Sequence, residues 1–175
     1  MQLRPLQLED AARLRAWAEE ARLGEFFRHF PPLFQWPTDA AATLAWFPGS
    51  LMIADGDEVL GLVQLTNVNM TARRAEFGVL VASNKERRAA VAERAIRQVV
   101  EGAFDKLGLE KVFCVTLASH RSLQTLLAPH GFQVEGVLRS HCFYRGEFHD
   151  EVVMSLLKSD YRGAQLDSSS ESRGL

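Results

Sequence analysis

The residues best suited to chemistry lie in one block, where a predicted strand leads through a short basic stretch into a helix. Arg87 and Arg88 stand directly before the small residues Ala89-Ala90-Val91-Ala92. A helix N-terminus presents unpaired N–H groups and partial positive charge, and small side chains there leave an anion room to approach the backbone. This block therefore favours phosphate binding.

The elements on either side of the basic stretch follow from the hydrophobic pattern. Residues 75–81 combine β-branched and aromatic side chains and end at the turn formers Ser83 and Asn84, which predicts a strand. Apolar residues then recur at helical spacing as far as Leu107, and Gly108 stands where a C′ glycine would end the helix.

The remaining patterns predict a mixed sheet with helices on both faces, because strands and helices come first, a crossover follows and a hairpin ends the chain. Predicted strands are 2–5, 50–54, 58–67, 111–117, 131–139, 141–144 and 150–157, with hairpin turns at Asp55-Gly56-Asp57 and Arg145-Gly146. Predicted helices are 8–21, one through Phe47 that Thr38 or Asp39 would cap, and a short one from Ser119 or His120 to Pro129.

Residues 24–37 form an aromatic stretch interrupted by Pro31-Pro32. Two interpretations of this stretch are open. It fills a gap in the core, or it forms a lid over a substrate.

Length and charge limit the possible partners. The 175 residues suit one domain, predicted over 1–162, and 163–175 have no apolar pattern and are expected to be disordered. A formal net charge of −2 argues against nucleic acid as a partner. No apolar run approaches the ~20 residues of a membrane span, and the first residues lack the apolar core of a signal peptide, so we expect a cytoplasmic protein.

Cysteine and histidine spacing gives no sign of a metal site. Cys114 and Cys142 are too far apart for a CxxC pair, and His29, His130 and His141 lack metal-ligand spacing. We therefore expect no metal.

Three stretches in order resemble the GNAT superfamily of N-acetyltransferases, in particular the branch that acetylates ribosomal-protein N-termini, polyamines and amino sugars. Its Q/R-x-x-G-x-G/A motif falls on Arg87-Arg88-Ala89-Ala90-Val91-Ala92. Gly131-Phe132-Gln133-Val134-Glu135-Gly136 resembles its "GF-x-x-EG". Phe143-Tyr144-Arg145-Gly146-Glu147-Phe148-His149-Asp150, followed by Met154-Ser155-Leu156-Leu157, resembles the ending of the branch.

The resemblance implies an α+β fold, a three-layer α/β/α sandwich around a mixed, largely antiparallel sheet that is splayed at its centre. It implies acetyl-CoA as acetyl donor. Backbone N–H groups of Arg88 to Ala92 would hold the pyrophosphate, with Arg87 leading the motif, and Leu80 and Val81 would pair with the pantetheine arm. Many relatives are dimers, so a homodimer is a possible assembly.

The chain departs from the family pattern at two places. Ala90 replaces the first glycine and Arg88 another frequent glycine, and each added Cβ narrows the approach of a phosphate. In the fourth helix, His120 falls near the family's Asn, and Leu127 or Ala128 stands where a tyrosine is common.

Acetyl transfer to an amine needs a base, because an ammonium has no lone pair and alkyl amines have a pKa near ~10.4. By resemblance, Glu76 is the candidate base, with a solvent-facing or strand-paired glutamate as the alternative. Tyr144 would bind substrate, or it would protonate the leaving thiolate in place of the tyrosine that is absent from the fourth helix. The alternative is that it only packs on an edge strand. Asp150 would bind substrate or cap a turn, and His120 would contact CoA or cap a helix.

Two functions follow from these candidates. One is acetyl-CoA-dependent N-acetylation of a primary amine, in a small molecule or at a protein N-terminus, by direct attack. The other is a catalytically impaired GNAT-fold protein that acts as a CoA-binding or regulatory module.

Overall fold

The structure, a computed structural model, describes residues 1–20, 23–29, 35–83 and 85–161. The predicted tail at 163–175 lies outside these residues. The strands are β1 (Gln2–Pro5), β2 (Ser50–Asp55), β3 (Glu58–Asn69), β4 (Arg74–Val81), β5 (Lys111–Leu117), β6 (Gln133–Tyr144) and β7 (Glu147–Leu157). The α-helices are α1 (Asp10–Glu19), α2 (Ala40–Leu44), α3 (Lys85–Glu101) and α4 (Arg121–Leu127), with 3₁₀ turns at Gly24–Phe27 and Ala128–His130 and a π-helical turn at Gly102–Lys106.

Within the described ranges, the strands form a seven-stranded mixed sheet with the hydrogen-bonded order β1-β2-β3-β4-β5-β7-β6. β4 and β5 run parallel, while β1/β2, β2/β3, β5/β7 and β6/β7 are antiparallel. A mixed, largely antiparallel sheet with helices confirms the predicted α+β class.

The chain divides into two compact units. Unit 1 comprises Met1–Thr66 and Phe77–Gln98, and unit 2 comprises Asn67–Glu76 together with the residues from Val99 onward.

Unit 1 has a core rich in aromatic rings. Phe27, Trp36 and Phe47 are buried, and the Phe27–Trp36 and Trp36–Phe47 centroids lie 5.7 and 5.9 Å apart, edge to face. Leu62 and Leu80 belong to the same cluster. Phe27 and Trp36 come from the aromatic stretch 24–37, so the described part of that stretch fills the core. Residues 30–34 lie outside the described ranges.

Unit 2 is built on β5 and the hairpin of β6 and β7. Val112 and Cys114 on β5 and Met154 and Leu156 on β7 are buried and directly paired across the two strands. The run of β-branched and aromatic residues in Lys111–Leu117 gives a strand with the predicted bounds.

Local signals set several element ends as predicted. The Asp39 side chain accepts a hydrogen bond from Ala42 N and caps α2, although this helix ends at Leu44 rather than Phe47. Gly108 follows α3 and the π-helical turn with φ of +67°, a conformation that favours glycine. Arg145 and Gly146 both have positive φ in the turn between β6 and β7, as a two-residue hairpin turn of type I′ requires.

Candidate active site

The backbone at the end of β4 is fixed by β3. Ala82 N and Ser83 N donate to the Leu60 carbonyl at 2.7 and 3.2 Å. A Cβ built on Gly61 would lie 2.2 Å from the Leu80 carbonyl oxygen, so only glycine allows this close approach. Leu80 and Val81, the predicted pantetheine partners, are therefore held by the backbone of the neighbouring strand.

The helix after β4 begins earlier than the sequence pattern indicated. α3 starts at Lys85, so the basic stretch does not precede the helix as predicted: Arg87 and Arg88 lie in the first turn of the helix. Only the first N–H groups of a helix lack intrahelical partners. Ala89 to Ala92 lie further along the helix, where the N–H groups pair within it.

The predicted cofactor-binding residues 89–92 differ in their exposure to solvent. Ala89 and Ala90 are exposed, while Val91 and Ala92 are buried. Ala89 and Ala90 place only small side chains on the exposed surface of the first turns. Val91 and Ala92 pack into the interior of unit 1.

Arg87 already has carboxylate partners. Its guanidinium bonds Glu58 Oε2 at 2.8 Å and Asp55 Oδ2 at 3.1 Å, both in the hairpin between β2 and β3. The hydrogen bond to Glu58 and the charges of Glu58 and Asp55 raise the pKa of Arg87 above its ordinary value. An anion at this position would compete with two carboxylates for one arginine.

Arg88 and Ser83 carry buried polar atoms that have no hydrogen-bond partner among the described residues. These atoms are Nε of Arg88 and Oγ of Ser83, and Ser83 is only 7% exposed. Buried polar groups nearly always have partners, so two such atoms beside the start of α3 are consistent with a site that takes an anionic ligand. The sequence pattern points to Arg88 but not to Ser83, which it indicates only as a turn residue.

Glu76 lies near the start of β4, opposite Phe113 of β5. It is half-buried between the buried residues Ala75 and Phe77, as the alternation of side chains along a strand requires. Its Oε2 accepts a hydrogen bond from Nδ2 of Asn67 at 2.7 Å. Asn67 belongs to β3 and has φ of +49°, and nothing in the sequence pattern singled it out.

Tyr144 ends β6 beside the hairpin turn. Its carbonyl oxygen accepts from His149 Nε2 at 2.9 Å, and the Arg145 guanidinium carbon lies 5.2 Å from its ring centroid. Its phenol makes no hydrogen bond within the described part of the chain. These contacts fix the residue at the tip of the hairpin.

The strand register separates Tyr144 from Glu76. Glu76 lies opposite Phe113, and Phe113 lies opposite Ser155 of β7, whereas Tyr144 lies opposite Glu147. These two positions on β7 are eight residues apart, roughly 26 Å of strand at about 3.3 Å per residue. The structure therefore does not bring Glu76 and Tyr144 together as base and acid on one reacting atom.

Asp150 holds a bulge in the hairpin. Between the pairs Leu138–Glu151 and Cys142–His149, β6 has three residues and β7 only Asp150. The Asp150 carboxylate accepts from Ser140 N at 2.7 Å, and Ser140 has φ of +48°. This contact gives Asp150 a structural role within the bulge of β6, which joins the strands predicted at 131–139 and 141–144 into one. Substrate binding by Asp150 stays a prediction.

The buried carboxylate of β7 is that of Glu151, the next residue. Glu151 is fully buried, whereas Asp150 is exposed. The family motif does not single out Glu151 because it ends at Asp150, although strand alternation after an exposed Asp150 points to an inward-facing neighbour.

His120 lies at the N-cap position of α4 but does not cap it with its side chain. Its Nδ1 is 3.4 Å from the Thr116 hydroxyl at the end of β5. Of the two predicted roles, side-chain capping is not observed, and contact with CoA stays a prediction.

Within the described residues, no helix is both long and apolar enough to cross a membrane.

The chain belongs to the GNAT family of acetyltransferases: residues 1–133 match the family described as "Acetyltransferase (GNAT) domain". It is 32% identical over 104 residues to the uncharacterized N-acetyltransferase YoaA of Bacillus subtilis, covering 59% of this chain and 58% of that protein. It is 25% identical over 171 residues to spermidine N(1)-acetyltransferase of Escherichia coli K12, covering 92% and 88%. The putative ribosomal N-acetyltransferase YdaF of B. subtilis is 29% identical over 112 residues, and 60% of its length is covered. The chain thus spans about three-fifths of the two Bacillus relatives.

Solved structures show the same fold. Spermidine N-acetyltransferase from Vibrio cholerae, crystallised with CoA and spermine, has a TM-score of 0.74 at 19% identity, with 91% of this chain and 96% of that chain covered. A probable acetyltransferase has a TM-score of 0.73 at 23% identity, covering 90% and 92%. These likenesses confirm the predicted GNAT-like fold.

Proposed function

We propose that the protein transfers the acetyl group of acetyl-CoA to a primary amine by direct attack. The observation that carries the proposal is the start of α3 in a GNAT-family chain. There, Arg88 Nε and Ser83 Oγ are buried without described partners, and a helix N-terminus favours an anion such as a pyrophosphate. Leu80 and Val81 would pair with the pantetheine arm, and Arg87 and His120 would be further contacts.

The reaction requires a neutral amine. The nitrogen lone pair attacks the thioester carbonyl carbon, the amine proton passes to the Glu76 carboxylate directly or through one water, and the C–S bond breaks to release CoA thiolate. General-base catalysis of this kind contributes roughly 10²–10⁴-fold. Thiols have a pKa near ~8.5, so the thiolate leaves without an obligatory acid. This fits a site in which Tyr144 lies far along the sheet from Glu76.

The acceptor proposed for the first tests is a polyamine. The resemblance to spermidine N(1)-acetyltransferase of E. coli extends over 92% of this chain, further than the resemblance to the ribosomal relative. Protein N-termini and amino sugars are the other acceptor classes, with Asp150 and Tyr144 as predicted substrate contacts. A homodimer in the cytoplasm is the proposed form of the enzyme.

A second candidate function is a CoA-binding or regulatory module without catalysis. Two observations favour it: Arg87 is already paired with two carboxylates, and Ala90 stands where the family has glycine.

Thermal unfolding with acetyl-CoA tests the cofactor site. A ligand that binds only the native state adds about 2.7 kcal/mol to stability at a hundredfold excess over Kd. We expect a clear rise in Tm that Arg88→Ala abolishes. Arg97→Ala is the matched control, because Arg97 lies on the same helix and, among the described residues, pairs only with Glu93 on the exposed surface. If wild-type protein shows no shift at millimolar acetyl-CoA, the enzyme proposal fails.

Initial rates with spermidine and other amines test the base. Glu76→Gln should lower kcat by roughly 10²–10⁴-fold while the acetyl-CoA shift in Tm is retained. Glu110→Gln is the control, since Glu110 is an exposed glutamate of the same unit, paired with Arg73. A normal Tm shift combined with no transfer to any amine would favour the binding module.

A further inference from the structure

Asn67 combines an unusual backbone conformation with a short contact to Glu76. Its φ is +49°, and its Nδ2 donates to Glu76 Oε2 at 2.7 Å. We propose that Asn67 is a positioning residue that holds the Glu76 carboxylate in the orientation needed to receive the amine proton. This inference rests on the proposed function.

The backbone conformation is the first argument. Left-handed φ is unfavourable for L-residues, although Asn tolerates it better than most, and such residues concentrate at functional sites. Three other non-glycine residues described in unit 2 have positive φ, and their surroundings explain them. Arg73 and Arg145 lie in turns beside strands, and Ser140 lies in the bulge held by Asp150. Asn67 lies within β3, two residues before its end.

The chemistry of the contact is the second argument. A carboxamide nitrogen only donates, and a carboxylate oxygen accepts, so this hydrogen bond runs from Asn67 to Glu76. The bond occupies one lone pair of Oε2 and leaves Oε1 available to the incoming proton. A hydrogen bond to a charged group is stronger than a neutral one, so it limits rotation of a long side chain that would otherwise sample several rotamers.

The surroundings of Glu76 are the third argument. The residue is half-buried, and Asn67 is the one hydrogen-bond partner that the described residues give its carboxylate. The neighbouring Asn69 has a different contact, because its Oδ1 accepts from Ala72 N in the turn before β4. Two carboxamides on one strand thus have separate roles, and one serves as a control for the other.

The test compares Asn67→Gly, Asn67→Asp and Asn69→Gly by steady-state kinetics with acetyl-CoA and spermidine. Glycine keeps the positive φ and removes the donor, and aspartate keeps the size and places an acceptor against Glu76. We expect kcat to fall about 10- to 100-fold in both Asn67 variants, as for a misplaced catalytic group, with KM for acetyl-CoA unchanged. Asn69→Gly should keep the wild-type kcat even where its Tm falls.

A double variant separates positioning from a general structural effect. In a Glu76→Gln background, Asn67→Gly should lower kcat no further, because the base is already absent. An additional 10-fold loss there, or equal kcat values for Asn67→Gly and Asn69→Gly, would overturn the inference while leaving the enzyme proposal intact. Absence of transfer by the wild-type protein with every amine would overturn both.

Discussion

At the scale of single residues, Asp10 shows how a buried charge is kept. It is fully buried at the start of α1 and accepts from Arg4 through two bonds of 2.7 and 3.0 Å, from Gln7 N at 2.8 Å and from Arg13 at 3.0 Å. Burial alone would raise the pKa of Asp10, but these hydrogen bonds and the two arginine charges outweigh it and lower the pKa. The carboxylate is therefore ionised at neutral pH.

Replacing Asp10 with Asn should destabilise the protein strongly. Removing one member of a buried ion pair leaves the other uncompensated and typically costs 3–5 kcal/mol, so we expect a loss of about 3 kcal/mol in the free energy of unfolding. Glu9→Gln, one position earlier on the exposed surface, is the control. Urea denaturation measures both, and equal midpoints for the two variants would contradict the prediction.

Single residues also show where sequence prediction succeeds. The half-buried position of Glu76 follows from simple alternation with Ala75 and Phe77. The Asn67 contact could not be predicted, because it depends on a positive φ that no local pattern requires and on the pairing of two strands. Asn67 and Ser83 are recognisable only once the backbone is known.

At the scale of elements, Gly61 allows a close approach between the backbones of β3 and β4. Gly61→Ala would place a Cβ 2.2 Å from the Leu80 carbonyl oxygen and 3.1 Å from Val81 Cα. Because the obstacle is backbone, the strands must separate, and overpacking of this kind costs typically 1–3 kcal/mol. We also expect weaker acetyl-CoA binding, since Leu80 and Val81 are the predicted pantetheine partners.

Gly78→Ala is the control for Gly61→Ala, because the added Cβ would meet a side chain rather than backbone. Its Cβ would meet the Gln64 side chain at 2.9 Å, and a flexible side chain can move. Thermal unfolding and acetyl-CoA titration of both variants should give the larger loss for Gly61→Ala in each measurement. The reverse order would show that the strands adjust more easily than the side chain.

Element boundaries explain which parts of the fold were predictable. β5 was predicted with its observed bounds because its apolar run lies between Gly108 and Ser119. The start of α3 was missed because Lys85 to Arg88 are charged: such residues favour helices but carry no hydrophobic period. The continuity of β6 was missed because its bulge depends on Asp150, which lies ten residues away from Ser140.

At the scale of the whole molecule, each unit contains an acid whose pKa is lowered by folding. In unit 1 one such acid is Asp10. In unit 2 it is Glu135, whose pKa is lowered by hydrogen bonds from Lys111, at 2.6 and 2.7 Å, and from the Ser155 hydroxyl, at 2.7 Å. The unfolded chain binds more protons at these sites than the native protein does in acid.

Stability should therefore decrease as the pH falls. The contribution of both acids is fully present above their unfolded pKa values, about 3.9 for Asp and 4.3 for Glu, and is lost as pH falls through the lower folded values. Urea midpoints measured from pH 7 to pH 3 check this. Asp10→Asn and Glu135→Gln should each give a flatter profile below pH 5, and unchanged slopes would refute the assignment.

The bulge opposite Asp150 has a consequence for variation in chain length. Because β6 has two extra residues there, and side chains alternate with a period of two, Leu138 and Cys142 keep the faces that a regular ladder would give them. Deleting two residues from the bulge would preserve the orientation of every side chain in the hairpin tip. Deleting one residue would move every side chain of the hairpin tip to the opposite face of the sheet, so that Cys142 would face outward and Phe143 inward. Natural or engineered changes of length at this point should therefore come in pairs.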